Sequence, residues 1–530
     1  MRAACFMVGV MALRTALAVS GGPLSVFLAG RGRRGHSTAA FAAAAAGSRE
    51  VEGETAVNGV NTRLHRFKVP LDHSNPETGS ISVAVREVWT AASERADMPY
   101  LLYLQGGPGF PSGRPSFPLS GWQRAAAAKG YRVLLLDQRG TGLSSPLTPQ
   151  SIQRLGGSPE DQATYLAHFR ADSIVKDCEI IRKELCGGKK ITLLGQSFGG
   201  FCILSYLSFF PEALERCYFT CGLAPVLQPV DAVYHKTFSR MAERNRRYYS
   251  RYPEDVGKVR EISAFLHEKD KAGQSILLPS GGHLTLRRWL QSGLELGSAS
   301  GMESLHFLVE EAWDISGECL SPVFLKNVED LHRFDTNPIY WFLHEAIYMN
   351  GKPGEASQWS AARVQASGLG DTSLFDVEKA LVDGSPVYFT GEMVYPWMAE
   401  DYPELGALTD TARVLANKVH RPATSPLRSG LLAPLPQSTR LPACGTHQAD
   451  WGKLYDLEKL KNTAVPCAAV MSFDDVYVER EFSEETARLL GDNCKVWVTN
   501  EFQHSGLRDQ GHRVFTTLES MLLGDGGIPS

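Results

Sequence analysis

At 530 residues the chain can bury a sizeable core and fold as roughly two to four average domains, or as one large sheet with an insertion. Its 54 basic and 58 acidic side chains give a formal net charge of −4 with no basic stripe, which argues against nucleic acid as a partner. The 10 cysteines form no CxxC pair and no Cys/His cluster, so no metal site is expected and reduced thiols in an intracellular compartment fit better than disulfides.

Residues 1–48 contain no Asp or Glu but carry Arg2, Arg14, Arg31, Arg33 and Arg34 among many alanines. That is the composition of a mitochondrial or plastid targeting peptide. The apolar patch at 3–13 keeps a secretory signal open, and a disordered leader without an address is the plain alternative, which would make the protein cytoplasmic. No later apolar run reaches the ~20 residues of a membrane span, so a soluble mature chain with no membrane partner is expected.

A first core section is expected at 60–225. The run Leu-His-Arg-Phe-Lys-Val-Pro-Leu at 64–71, the turn at 72–76 and the alternating run at 81–88 read as an edge hairpin. Three short apolar runs then enter glycine-rich turns. Residues 101–104 lead into Gln-Gly-Gly-Pro-Gly at 105–109, residues 131–136 into Asp-Gln-Arg-Gly-Thr-Gly-Leu-Ser at 137–144, and residues 191–194 into Gly-Gln-Ser-Phe-Gly at 195–199. Short, wholly apolar strands suit the middle of a parallel sheet covered on both faces, and their turns would share the carboxyl edge where ligands bind. Helical patterns at 171–185 and 200–210 complete a βαβ order.

Between 226 and 420 helical patterns replace strands, as at 234–252, 303–315 and 338–348, and read as a helical cap inserted into the sheet. Residues 421–450 read as a proline-rich loop insertion. The core returns over 451–525, with a strand at 464–471, a helix at 480–490 and a last strand at 495–499. The expected class is α/β, a mostly parallel sheet with helices on both faces.

The strand–Gly-Gln-Ser-Phe-Gly–helix sequence is the outline of a serine nucleophile elbow. A strained turn exposes the Ser197 hydroxyl, and Gly195 and Gly199 let strand and helix approach. A hydroxyl needs an imidazole to take its proton, and the imidazole needs a carboxylate to fix its tautomer. In this architecture the chain order is serine, acid, histidine. Asp475, after the returning strand, is the expected acid with Asp474 as its rival. His504, after the last strand, is the expected base with His512 as fallback. Negative charge on the tetrahedral intermediate calls for two backbone donors. They are expected from Phe198 and Gly107, with Gly106 as the alternative to Gly107, since Pro108 has no N–H. Asp137 and Arg139 are expected to pair and brace their turn. Epoxide hydrolase or dehalogenase chemistry is disfavoured because it uses an aspartate at the elbow, and no cofactor is needed.

With these motifs assembled, the chain resembles the proline iminopeptidases (prolyl aminopeptidases) of the α/β-hydrolase superfamily, and within them the larger subgroup. The resemblance runs from about residue 62 to 522. It rests on His-Arg-Phe-Lys-Val-Pro-Leu-Asp-His at 65–73, the Gly-Gly-Pro-Gly turn, Asp-Gln-Arg-Gly-Thr-Gly-Leu-Ser at 137–144, Gly-Gln-Ser-Phe-Gly-Gly at 195–200, Asp-Asp-Val-Tyr-Val at 474–478 and Asn-Glu-Phe-Gln-His at 500–504. It implies an α/β-hydrolase fold and an exopeptidase that releases N-terminal proline from peptides with a free N-terminus, through an acyl-enzyme. Two further runs, at 337–348 and 389–397, look like the family's cap motifs. An aminopeptidase must hold a cationic terminus, which a partly buried carboxylate does by Coulombic attraction and charge-assisted hydrogen bonds, so Glu345 and Glu392 are the substrate-binding candidates. Tyr348, Tyr395 and Trp397 could line an apolar slot for a pyrrolidine ring. Gln105 stands where many smaller members carry histidine, and the proline-rich stretch before Trp451 looks like an insertion. The competing readings are an esterase or broader peptidase on the same triad, and a hydrolase fold used only for binding.

Overall fold

Short, mostly apolar runs make the middle of one large sheet. The computed structural model describes residues 48–91, 97–352, 354–418 and 451–524. The expected leader, apart from Ser48, and the expected proline-rich insertion lie outside the described residues. The strands are β1 (Arg49–Val57), β2 (Val60–Pro70), β3 (Ser80–Thr90), β4 (Tyr100–Leu104), β5 (Arg132–Leu136), β6 (Ile191–Gln196) and β7 (Leu214–Thr220). After a short hairpin of β8 (Ile276–Leu277) and β9 (His283–Leu284) come β10 (Cys467–Ser472) and β11 (Cys494–Thr499). Every residue of β4 and β10 is buried, as expected of strands covered on both faces.

The nine-stranded sheet has the order β1-β2-β3-β5-β4-β6-β7-β10-β11. Pairing is antiparallel from β1 to β5 and parallel from β5 to β11. From β4 the chain steps to β5 on one side, then crosses back to place β6 on the other. The carboxyl ends of β4 and β6 therefore flank a topological switch point, the position at which such sheets bind ligands.

The hairpin of β2 and β3 is not the edge of the sheet, because β1 lies outside it. All nine residues of β1 are exposed, and Glu52 and Glu54 pair with Arg66 and Arg63 on β2. Cross-strand charge pairing holds this strand, so it has no apolar alternation to read.

Between β7 and β10 the chain is helical, from the helix Val230–Arg251 to the helix Thr409–Ala416, interrupted by the β8–β9 hairpin. The pattern expected at 338–348 divides into the helix Pro338–Leu343 and a single 3₁₀ turn, Glu345–Tyr348. Among the described residues no helix is long and apolar enough to cross a membrane. The described cysteines are free thiols, and all but Cys319 are buried.

Asp137 and Arg139 do not pair with each other. Asp137 accepts two bonds from Arg114, at 2.9 and 2.7 Å, and further ones from the Ser112 and Leu143 amides. Arg139 makes a bidentate pair with Asp177 on the helix Ala171–Leu185, at 2.7 and 2.6 Å, and donates to the carbonyls of Pro70, Leu71 and His168. The carboxylate on the neighbouring helix meets the guanidinium fork through both oxygens, and Asp137 is already engaged by Arg114 and two amides.

Candidate active site

Ser197 sits between β6 and the helix Phe198–Phe209 with φ 54° and ψ −124°, a strained backbone for a residue with a side chain. Close approach of three elements enforces it. A Cβ on Gly199 would run into the Leu104 carbonyl at the end of β4, and one on Gly195 would lie 2.6 Å from the Gly199 carbonyl. The Ser197 amide donates to the Thr220 carbonyl at 3.0 Å, and Gln196 Nε2 donates to the His504 carbonyl at 3.0 Å. The serine turn is thereby tied to the loop after β11.

β10 and β11 are parallel and in register, with Ser472 opposite Thr499, so the loops that follow leave the sheet at the same edge. There His504 Nδ1 donates to Asp475, 2.9 Å from Oδ2 and 3.1 Å from Oδ1. Asp475 is buried and its Oδ1 also accepts from the amides of Tyr477 (2.9 Å) and Val478 (3.0 Å). The Cys221 thiol lies within 4.8 Å of the same carboxylate, and burial, followed by the charge of Asp475, raises the thiol well above its ordinary pKa. The His504 amide donates to the Gly297 carbonyl at 3.1 Å, and the Tyr477 ring stands edge-on to the imidazole with centroids 4.8 Å apart. Burial alone would lower the imidazole pKa; the charge and hydrogen bond of Asp475, with a contribution from Glu392, outweigh it and raise the value above the ordinary one. The rival positions lie elsewhere. Asp474 turns outward to pair with Arg247, and His512 is exposed on the helix Gly511–Leu523.

Ser197, Gly106, Gly107 and His504 line one cavity of about 630 Å³, together with residues of the helical insert such as Glu295, Phe334 and Tyr340. A Cβ on Gly106 would lie 3.1 Å from Ser197 Cβ, so this turn presses against the serine. Phe198 opens its helix, where amides lack intrahelical partners.

Glu392 lines the cavity and accepts from Tyr340 Oη at 3.0 Å. Glu345 does not line it. Its carboxylate turns away, taking the Ala361 amide at 3.0 Å, and burial raises its pKa, with that amide and Ser357 pulling the other way. Tyr348, Tyr395 and Trp397 are likewise off the cavity wall. Tyr395 donates to Gln365 and stacks on Trp397, while Tyr348 packs edge-on against Phe201 and Tyr234. The aromatic wall is instead Tyr103, Phe110, Trp122, Phe334, Tyr340 and Tyr477. Sequence reasoning also missed Glu295, a cavity carboxylate raised by burial against the pull of Arg508. It stands in no motif. Tyr340 and Tyr477 lie within runs singled out from the sequence, but nothing there says which way each ring points.

A serine at a strained strand-to-helix turn, at the carboxyl edge of a mostly parallel sheet, sharing a cavity with an imidazole that a buried carboxylate bonds, defines the serine hydrolases of the α/β-hydrolase fold. The family model described as alpha/beta hydrolase fold matches residues 99–262. A proline iminopeptidase of Aeromonas sobria is 39% identical over 463 residues, covering 87% of this chain and 96% of that protein. One of Aspergillus aculeatus is 32% identical over 465 residues, covering 86% and 92%. A tripeptidyl aminopeptidase of Streptomyces coelicolor matches over 180 residues at 27%, covering 28% and 32%. The chain belongs to the proline iminopeptidase family.

Proposed function

We propose that the protein is a serine aminopeptidase that releases N-terminal residues, preferentially proline, from peptides with a free N-terminus. Ser197 Oγ attacks the carbonyl of the first residue while His504 Nε2 takes its proton; Asp475 holds the ring and stabilises the imidazolium. The Phe198 and Gly107 amides, with Gly106 as the alternative to the latter, receive the oxyanion. The imidazolium then protonates the departing amine and the peptide bond breaks, leaving an acyl-enzyme. Water, deprotonated by the same imidazole, releases the free amino acid and restores Ser197. Glu392 holds the substrate ammonium, and Glu345 does not. We further infer that residues 226–420 serve as the cap over this site and residues 1–48 as a mitochondrial or plastid address.

The observation that carries this reading is that Ser197, His504 and an acidic side chain with an aromatic neighbour line one cavity, while Asp475 bonds the imidazole from behind. The family's named activity supports the choice of substrate. Ser197→Ala should abolish release of p-nitroaniline from prolyl p-nitroanilide and end fluorophosphonate labelling, with an unchanged melting temperature; turnover by the folded variant overturns the assignment. An esterase or broader peptidase on the same residues is separated by rates on prolyl, alanyl and short acyl ester reporters, where dominant ester hydrolysis would displace the aminopeptidase.

A further inference from the structure

Two residues four apart meet the same oxygen of Glu392. Tyr340 Oη donates to Oε1 at 3.0 Å, and His344 Nε2 stands 3.4 Å from it. Helical spacing puts both rings on one face, with centroids 4.6 Å apart. Tyr340 lines the cavity, whereas His344 lies behind it with only 1% exposure.

On its other side, His344 Nδ1 lies 3.1 Å from Tyr234 Oη. Tyr234 is buried, and burial, followed by the Glu345 carboxylate, holds its phenol well above its ordinary pKa. The phenol keeps its proton and donates it to Nδ1. The ring proton then belongs on Nε2, facing Glu392; the opposite tautomer would set a lone pair against the carboxylate oxygen. Nε2 is buried and makes no hydrogen bond within ordinary limits among the described residues, so Glu392 is the acceptor it faces. Both contacts fall on Oε1.

We propose that His344, oriented by Tyr234, is a positioning residue that holds the Glu392 carboxylate through Oε1 and leaves Oε2 turned to the cavity as the seat for the ammonium of a peptide's N-terminal residue. The inference rests on the role given to Glu392 above. A glutamate side chain has several rotatable bonds, and two donors on one oxygen fix it before substrate arrives, so less freedom is lost on binding. The ammonium contact is remote from the reacting carbonyl and persists unchanged into the transition state, so its loss appears in KM rather than kcat.

The test compares prolyl p-nitroanilide, which carries the ammonium, with p-nitrophenyl butyrate, which does not. His344→Leu should lower the ratio of their kcat/KM values about tenfold, through KM for the anilide, with its kcat within about threefold. His344→Gln, which restores a donor near Nε2, should recover most of that ratio. Tyr234→Phe removes a single oxygen, and should give an intermediate loss in a protein whose folding is undisturbed. An unchanged ratio in both His344→Leu and Tyr234→Phe, or a parallel fall on both substrates, overturns the proposal. Glu392→Gln separates the two levels. If it lowers the ratio while the His344 and Tyr234 variants do not, only the positioning role fails; if it leaves the ratio unchanged, the role of Glu392 itself fails.

Discussion

His504 Nδ1 lies 2.9 Å from Asp475 Oδ2, while the adjacent Asp474 points outward to Arg247. Adjacent carboxylates thereby have different partners, and the proposed mechanism gives them unequal jobs. Asp475→Asn should lower kcat about 10⁴-fold, since an amide at that position favours the wrong imidazole tautomer. Asp474→Asn breaks a partly exposed ion pair and should leave kcat within about twofold, such pairs being worth roughly 0–1 kcal/mol. Parallel kinetics on prolyl p-nitroanilide decide the matter, and equal losses would mean that the acid has been misassigned.

The pH profile follows from the same pair. In the proposed mechanism His504 must be neutral to take a proton from Ser197, and its pKa is raised above the ordinary value, Asp475 overcoming the effect of burial. Activity is therefore lost as pH falls through the raised value, and the acid limb of kcat/KM should lie above the ~6.5 of a free histidine. In Asp475→Asn the chief raising influence is gone, and the limb of the residual activity should move to lower pH. A limb below the free value in the parent protein would contradict this electrostatic account.

Asp177 and Arg139 are both essentially excluded from water. Removing one partner leaves the other charged and buried. Asp177→Ala should cost about 3–5 kcal/mol of stability in denaturant unfolding, with kcat near normal at temperatures where the variant is folded. A stability change under about 1 kcal/mol would show that the pair contributes little net energy.

Glu345 gives the opposite sign. Its carboxyl pKa is raised by burial, so the side chain takes up a proton more readily in the folded than in the unfolded state. Below the unfolded value both states are protonated and the penalty is absent; it is complete once pH exceeds the folded value. Glu345→Gln should therefore raise the melting temperature at neutral pH, by an amount that vanishes near pH 4, while KM for the prolyl reporter stays within about twofold. A large rise in KM would return Glu345 to the list of substrate-binding residues.

What could be read from the sequence was what repeats a local rule. β4, β5, β6 and β10 are short and mostly apolar because both sheet faces are covered, and each announces itself. Chain order led to Asp475 and His504, which the fold brings together because consecutive parallel strands release their loops at one edge. β1 stayed hidden because charge pairs rather than apolar alternation hold it. Glu345 and Glu392 both looked suited to binding a cation, and only three dimensions separate them. Tyr340 and His344 share the face turned to Glu392, whereas Glu345, which opens the following 3₁₀ turn, takes the Ala361 amide instead.

The division of the sheet by the helical insert has a consequence for biosynthesis. β6 and its serine emerge from the ribosome long before β10 and β11, which bring the imidazole and carboxylate. In the mechanism proposed above, a nascent chain thus carries an unarmed hydroxyl through most of its synthesis, and the serine meets its imidazole only when the final strands dock. The order of the elements does for this enzyme what a removable inhibitory segment does for others.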